Sequence, residues 1–243
     1  MSLVKTGHQG LFIAHIEQGG HQMVSLRRGP RLTVMLFLFD MDNVLYDYQW
    51  RRRMDGLSEV TGHDFQELRR RWWHDDGEWA AERGNPPTGE EYLQRANAAF
   101  ERQVSREQWL FHRRSAMELR PDIVAVAQFA AQHGDIAVLT NNGALIGEHL
   151  ADTIAPELAD VFGENLFATA HFFERKPEPT VFQRTIDHLG IPASETFFVD
   201  DIPENVRGAE AIGITGHWFN PGQTAGELQQ AIQGFIDGRA QRG

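Results

Sequence analysis

Three polar clusters in this chain of 243 residues carry groups able to do chemistry together: Asp40-Met41-Asp42, Thr140-Asn141-Asn142 and Asp200-Asp201. Each closes a short apolar run, Leu36 to Phe39, Ile136 to Leu139 and Thr196 to Val199. Runs of that length, apolar throughout, suit strands buried on both faces, as in a parallel sheet. Ligands of an open parallel sheet bind at the carboxyl ends of its strands. Four carboxylates and a hydroxyl are therefore expected in one crevice. Two like charges about 4 Å apart repel by roughly 4 kcal/mol at an effective dielectric of 20. A divalent cation offsets that repulsion, and carboxylate ligands without His or Cys suit Mg²⁺ rather than zinc. A fifth group is marked by rarity. Of the 23 basic residues only Lys5 and Lys176 are lysine. A compact ammonium differs from a planar guanidinium where a single oxygen must be met in a packed site, so Lys176 is a candidate for the same crevice. Each motif alone also suits a structural role. Asp40 and Asp42 could end a strand in a turn, Thr140-Asn141-Asn142-Gly143 could cap a helix, and Asp200-Asp201 could precede a helix with favourable dipole charge.

The elements that must position these groups alternate. Helical patterns run from Pro121 to His133, Pro179 to Leu189, Pro203 to Ala211 and Ala225 to Ile236, and a weaker strand pattern lies at Ile212 to Thr215. Strands and helices in alternation predict right-handed crossovers and an α/β, doubly wound parallel sheet. The residues between the first strand and Pro121 show no strand pattern. They read as four inserted helices over 48–61, 64–76, 88–103 and 105–118, the third opening on a Thr88-to-Glu91 capping box. The expected division is a core of 35–46 and 119–243, a helical cap of 47–118, and an extension over 1–34 preceding the fold.

Composition excludes several classes. There is no cysteine, hence no disulfide framework, thiolate nucleophile or Cys-based zinc site. A net charge of −11 argues against a general nucleic-acid binder. The longest apolar run, Leu32 to Phe39, is far short of the roughly 20 residues of a spanning helix. No membrane partner and a cytoplasmic location are expected. Arg51-Arg52-Arg53 and Arg69-Arg70-Arg71 are interleaved with acids and read as solvated helix faces. Trp50, Trp72, Trp73, Trp79 and Trp109 read as insertion core.

In order and spacing, the motifs resemble those of the haloacid dehalogenase-like (HAD) superfamily. Phe39-Asp40-Met41-Asp42-Asn43-Val44 looks like its first motif, Leu139-Thr140-Asn141-Asn142 its second and Arg175-Lys176-Pro177-Glu178-Pro179 its third. Phe198-Val199-Asp200-Asp201-Ile202-Pro203-Glu204-Asn205 looks like the fourth, in a paired-aspartate form. A helical insertion straight after the first strand matches the family's C1-type cap. The resemblance implies a Mg²⁺-dependent hydrolase of small phosphorylated metabolites. Asp40 would be the nucleophile that takes the phosphoryl group, and Asp42 the proton donor and then base. Thr140, Asn141 and Lys176 would hold the phosphoryl group. Asp40, Asp42 (through its backbone carbonyl), Asp200 and Asp201 would surround the metal. Two positions depart from the pattern: Asn43 replaces a common glycine, and Asn205 stands where many members carry an acid. Glu78, Glu82 and Arg83 are candidates for specificity. A 2-haloacid dehalogenase, a sugar phosphomutase and a non-catalytic phosphometabolite-binding module are the alternatives on the same fold. The dehalogenases lack a carboxylate at the position of Asp42. Substrate identity and oligomeric state are left open by the sequence.

Overall fold

The structure, a computed structural model, describes residues 35–241. The expected extension over 1–34 lies outside them. The chain opens with β1 (Met35–Phe39) and β2 (Tyr46–Tyr48), followed by helices α1 (Trp50–Thr61), α2 (Phe65–Trp72), α3 (Glu78–Glu82), α4 (Gly89–Phe100) and α5 (Arg106–Ser115). It then runs through β3 (Met117–Leu119), α6 (Pro121–Ala131), β4 (Gly134–Thr140), α7 (Ala144–Gly147), α8 (Pro156–Phe162) and β5 (Leu166–Ala168). It ends with α9 (Pro179–Leu189), β6 (Thr196–Asp200), α10 (Pro203–Glu210), β7 (Thr215–Trp218) and α11 (Ala225–Ala240). Five strands pair in the order β5-β4-β1-β6-β7, all parallel.

The alternation within β1 builds the two faces. Phe37 and Phe39 join Ile136, Val138, Phe197 and Val199 in one apolar cluster with α6, α8 and α11. Leu36 and Leu38 join Ala137, Leu139 and Phe198 in another with α9 and α10. Successive side chains of a strand point to opposite faces, so a continuous apolar run fills both layers. The α/β doubly wound reading stands.

The insertion departs from expectation in three ways. It leaves and rejoins the sheet through an antiparallel ribbon of β2 and β3, with Tyr46 opposite Leu119 and Tyr48 opposite Met117; no strand was expected there. It contains a short fifth helix, α3. The Thr88 box is half formed: the Thr88 hydroxyl accepts from Glu91 N at 3.3 Å, but the Glu91 carboxylate turns to that hydroxyl rather than to the backbone. A full box forms at Ser105 and Gln108 instead, opening α5. In the sheet, the edge strand β5 was not expected, and β7 lies slightly later in the chain than the Ile212 to Thr215 pattern. Among the described residues no helix is long and apolar enough to cross a membrane.

Candidate active site

Three adjacent parallel strands, β4, β1 and β6, deliver Thr140, Asp40 and Asp200 at their carboxyl ends. The Asp40 backbone N donates to Val199 O at 2.9 Å, which keeps β1 and β6 paired up to the site. Lys176 arrives from the loop before α9 and is 1% exposed. Its Nζ donates to Asp40 Oδ1 at 2.5 Å and to Asp200 Oδ2 at 2.6 Å. Its backbone is held by Asn141, whose Oδ1 accepts from Lys176 N at 2.9 Å and whose Nδ2 donates to Lys176 O at 3.0 Å. The Asn141 side chain is thus spent on positioning the lysine, which leaves only its backbone amide for a ligand. Gly208 makes room for the same loop: a Cβ there would stand 1.9 Å from Pro177 O. Thr140 is buried and its hydroxyl accepts from Asn142 Nδ2 at 2.9 Å.

The two asparagines that depart from the family pattern serve the carboxylates. Asn205 Nδ2 donates to both oxygens of Asp200 at 3.0 Å, which an acid at that position could not do while ionised. Asn43 has φ 59°, a left-handed conformation that asparagine tolerates. Its Nδ2 donates to Asp201 Oδ2 at 3.0 Å, and its Oδ1 accepts from Tyr48 N at 3.2 Å.

Carboxylate oxygens of Asp40, Asp200 and Asp201 lie within 4.8 Å of one another. Burial drives the Asp40 carboxyl well above the usual range against the pull of Lys176, and the charges of Asp200, Asp42 and Asp201 add to the rise. Burial also raises Asp201. For Lys176, burial disfavours the ammonium, but Asp200 and Asp40 outweigh it and keep the lysine protonated. One ammonium among these acids leaves an excess of negative charge. An all-oxygen donor set with that excess fits a divalent cation. The Asp42 carboxylate is not part of this group. It turns toward the insertion, so anything Asp42 gives a metal must come from its backbone. A cavity of about 460 Å³ opens beside Asn43 and Asp201, bordered also by Asp47, Arg120 and Phe219. A larger one of about 570 Å³ lies away from these carboxylates, against Phe167, Phe173 and Pro87.

A family model described as haloacid dehalogenase-like hydrolase matches residues 34–213. The chain belongs to this family. It is 26% identical over 209 residues to "Phosphatase MT3486" of Mycobacterium tuberculosis, a match covering 79% of this chain and 91% of that one. Sesquiterpene phosphatase astK of Aspergillus oryzae is 36% identical over 74 residues, which is 30% of this chain and 37% of that one. Among solved structures, a HAD family enzyme of Bacteroides thetaiotaomicron, in complex with magnesium and inorganic phosphate, has TM-score 0.68 and 20% identity. It covers 80% of this chain and 98% of its own. A 2-haloacid dehalogenase of Pseudomonas syringae has TM-score 0.59 and 20% identity, covering 84% and 100%. These structures share the HAD fold.

In this HAD-like hydrolase the inserted helices close on the core through groups that sequence reading passed over. Arg113 of α5 is fully buried, and its Nη2 donates to both oxygens of Asp42 at 2.8 Å. Its guanidinium lies 4.2 Å from the centre of the Tyr48 ring. Arg53 corrects the reading of its triplet. Arg51 and Arg52 are exposed, but Arg53 is buried with Met54 and Leu57, because the turn of α1 carries it inward. The tryptophans Trp72 and Trp109 are core, whereas Trp79 is exposed.

The specificity candidates divide. Glu78 sits in the insertion's aromatic core, accepting from Trp72 Nε1 at 2.6 Å and from the Tyr92 hydroxyl. Glu82 accepts from Arg175 Nε at 2.5 Å, and Arg83 Nε donates to Glu174 at 3.0 Å, so both grip the segment that carries Lys176. Gly143 lies under the same region, where a Cβ would meet the Tyr92 ring at 2.8 Å.

Burial raises Glu82 from 4.5 to about 7, against the pull of Arg175 and with help from Glu78. The folded chain therefore holds this proton more tightly than the unfolded one. The associated stability is present below about pH 4.5 and is lost as pH rises through about 7. Glu82→Gln keeps an acceptor for Arg175 and removes the titration. The difference in Tm between this variant and the parent is expected to move in the variant's favour from pH 5 to pH 8. A constant difference over that interval would show that Glu82 ionises at its ordinary value.

Proposed function

We propose that this hydrolase cleaves small phosphate monoesters through an aspartyl-phosphate, with Mg²⁺ as cofactor. The observation that carries the reading is the Asp42 carboxylate, 24% exposed and two residues beyond the buried Asp40. An alkoxide leaving group needs a proton at that place and a halide does not.

Asp40 attacks phosphorus and takes the phosphoryl group as the ester P–O bond breaks. The leaving alkoxide takes its proton from Asp42. Water then attacks the aspartyl-phosphate, gives its proton to the Asp42 carboxylate, and the Asp40–phosphate bond breaks to release inorganic phosphate. Lys176 neutralises charge on Asp40 and the phosphoryl oxygens, and the Thr140 hydroxyl with the Asn141 backbone amide holds those oxygens. Asp40, Asp200, Asp201 and the Asp42 backbone carbonyl would hold Mg²⁺, which supplies neutralisation of phosphoryl charge. Helices α1 to α5 act as the cap that excludes water. The phosphatase names of the relatives support the reaction class, and the Bacteroides thetaiotaomicron complex supports the metal.

The test is a panel of phosphate monoesters and 2-haloacids assayed with and without Mg²⁺. Phosphate release that needs the metal is expected, with no halide release. Halide release that persists in EDTA would overturn the reading.

A further inference from the structure

We propose that Arg53 and Arg113 form a receptor for a second anionic group, a carboxylate or phosphate at the far end of the ester's leaving group. The proposal rests on the phosphatase reading above and names its substrate class. Arg53 is 4% exposed and Arg113 is 0% exposed. Among the described residues, Arg53 Nε and Nη2 and Arg113 Nε and Nη1 have no hydrogen-bond acceptor. Buried charged donors without acceptors are costly, and such groups are found paired in the large majority of folded proteins. Two in one place point to a ligand that brings the acceptors.

What surrounds the pair narrows the ligand. Both touch Tyr48: Arg113 lies over its ring and Arg53 Nη1 donates to its hydroxyl at 3.4 Å. Arg53 also lies 5.3 Å from the Trp109 ring centre and 5.7 Å from that of Trp73. Ring faces attract the cation but give no acceptor in the plane of its N–H bonds. Planar guanidinium forks match the two oxygens of a carboxylate or the edge of a phosphate. Arg113 demonstrates that preference here, because the oxygens it holds belong to the Asp42 carboxylate. Asp42 is the proton donor to the leaving group, so the arginines stand on the leaving-group side of the site. A substrate oxyanion that engages Arg113 competes with Asp42 for the guanidinium and frees that carboxyl for proton transfer. Recognition of the far end would thus raise kcat as well as lower KM.

Three esters with the same carbon chain test this: 3-hydroxypropyl phosphate, 3-(phosphonooxy)propanoate and propane-1,3-diyl bisphosphate. The expected result is a kcat/KM about tenfold or more higher for one or both anionic-ended esters than for the hydroxyl-ended one. The preferred ester tells carboxylate from phosphate. Arg53→Met should bring the ratio toward one, and Arg53→Lys, which keeps the charge, should retain part of it. Arg53→Met removes a cation whose Nε and Nη2 lack acceptors but whose Nη1 donates to Tyr48 and whose charge faces the buried Glu78, so the ratio among the three esters, and not Tm, is the readout. Equal kcat/KM for all three esters, or a ratio that Arg53→Met leaves unmoved, would overturn the proposal. If no ester is turned over, the phosphatase reading fails by itself. Titration calorimetry of the same three esters into Asp40→Asn, with and without Arg53→Met, then decides the receptor. Tighter binding of an anionic-ended ester that Arg53→Met weakens supports it, and uniform or absent binding overturns it.

Discussion

Asp40→Asn is expected to lower phosphate release by about 10⁴-fold or more while the protein stays folded. The amide keeps the shape of the carboxylate but cannot attack phosphorus. Its effect on stability follows from the neighbourhood. Asp40 is buried beside Asp200 and Asp201, with Lys176 as the cation bonded to it, and burial raises its pKa well above the ordinary value. Removing that charge relieves repulsion, and an amide oxygen can still accept from Lys176 Nζ. In EDTA the variant should therefore melt no lower than the parent. In Mg²⁺ the order should reverse: the parent gains stability from the ion by mass action, and the variant, with one ligand charge fewer, gains less. Thermal melts with and without Mg²⁺, beside a turnover assay, measure both effects. Turnover like that of the parent would remove Asp40 as the nucleophile. A large loss of Tm in EDTA would mean that the Asp40–Lys176 contact is chiefly structural.

What could be read from the sequence follows what burial does to composition. The strands that carry Asp40, Thr140 and Asp200 lie in the middle of a sheet covered on both faces, and central strands of that kind must be continuous apolar runs. Their ends, and the acids on them, are visible for that reason. The edge strand β5 has three residues, Leu166–Ala168, and β2 and β3 pair only with each other. Strands that short and marginal leave too few positions to form a period. The groups that the inserted helices bring to the site were hidden for a different reason. Arg53 and Arg113 are two arginines in a chain where 23 residues are basic and nearly all of those are arginine, so residue type carried no signal. Helical phase could have found Arg53, since it precedes Met54 and shares its buried face with Leu57. No local pattern marks Arg113, whose partner Asp42 is 71 residues away in the chain.

Rarity did mark Lys176, and its replacement carries the largest expected cost in stability. Lys176→Met removes the ammonium that donates to Asp40 and Asp200 and leaves two buried carboxylates facing each other. Taking away one partner of a buried ion pair costs about 3–5 kcal/mol. For a domain of this size that lowers Tm by on the order of 10 °C. The loss has a sign in pH. Lys176 pulls the buried Asp40 carboxyl down, so without the lysine its folded-state pKa, already above the ordinary value, lies higher still. The folded state then binds more protons, and stability falls as pH rises through that raised value. The deficit of Lys176→Met against the parent should thus be smallest at acidic pH and largest near neutrality. Adding Asp200→Asn removes one of the stranded charges and should recover part of the loss at pH 7, although not the activity. Lys176→Arg should fail to rescue turnover, because the site is closed around a single nitrogen, with Phe198 beneath it at 5.5 Å and the backbone clamped by Asn141. A planar fork cannot replace that nitrogen without moving the loop. If Lys176→Arg is as stable and as active as the parent, the slot tolerates a guanidinium, and the lysine's presence in an arginine-rich chain has some other origin than the shape of this site.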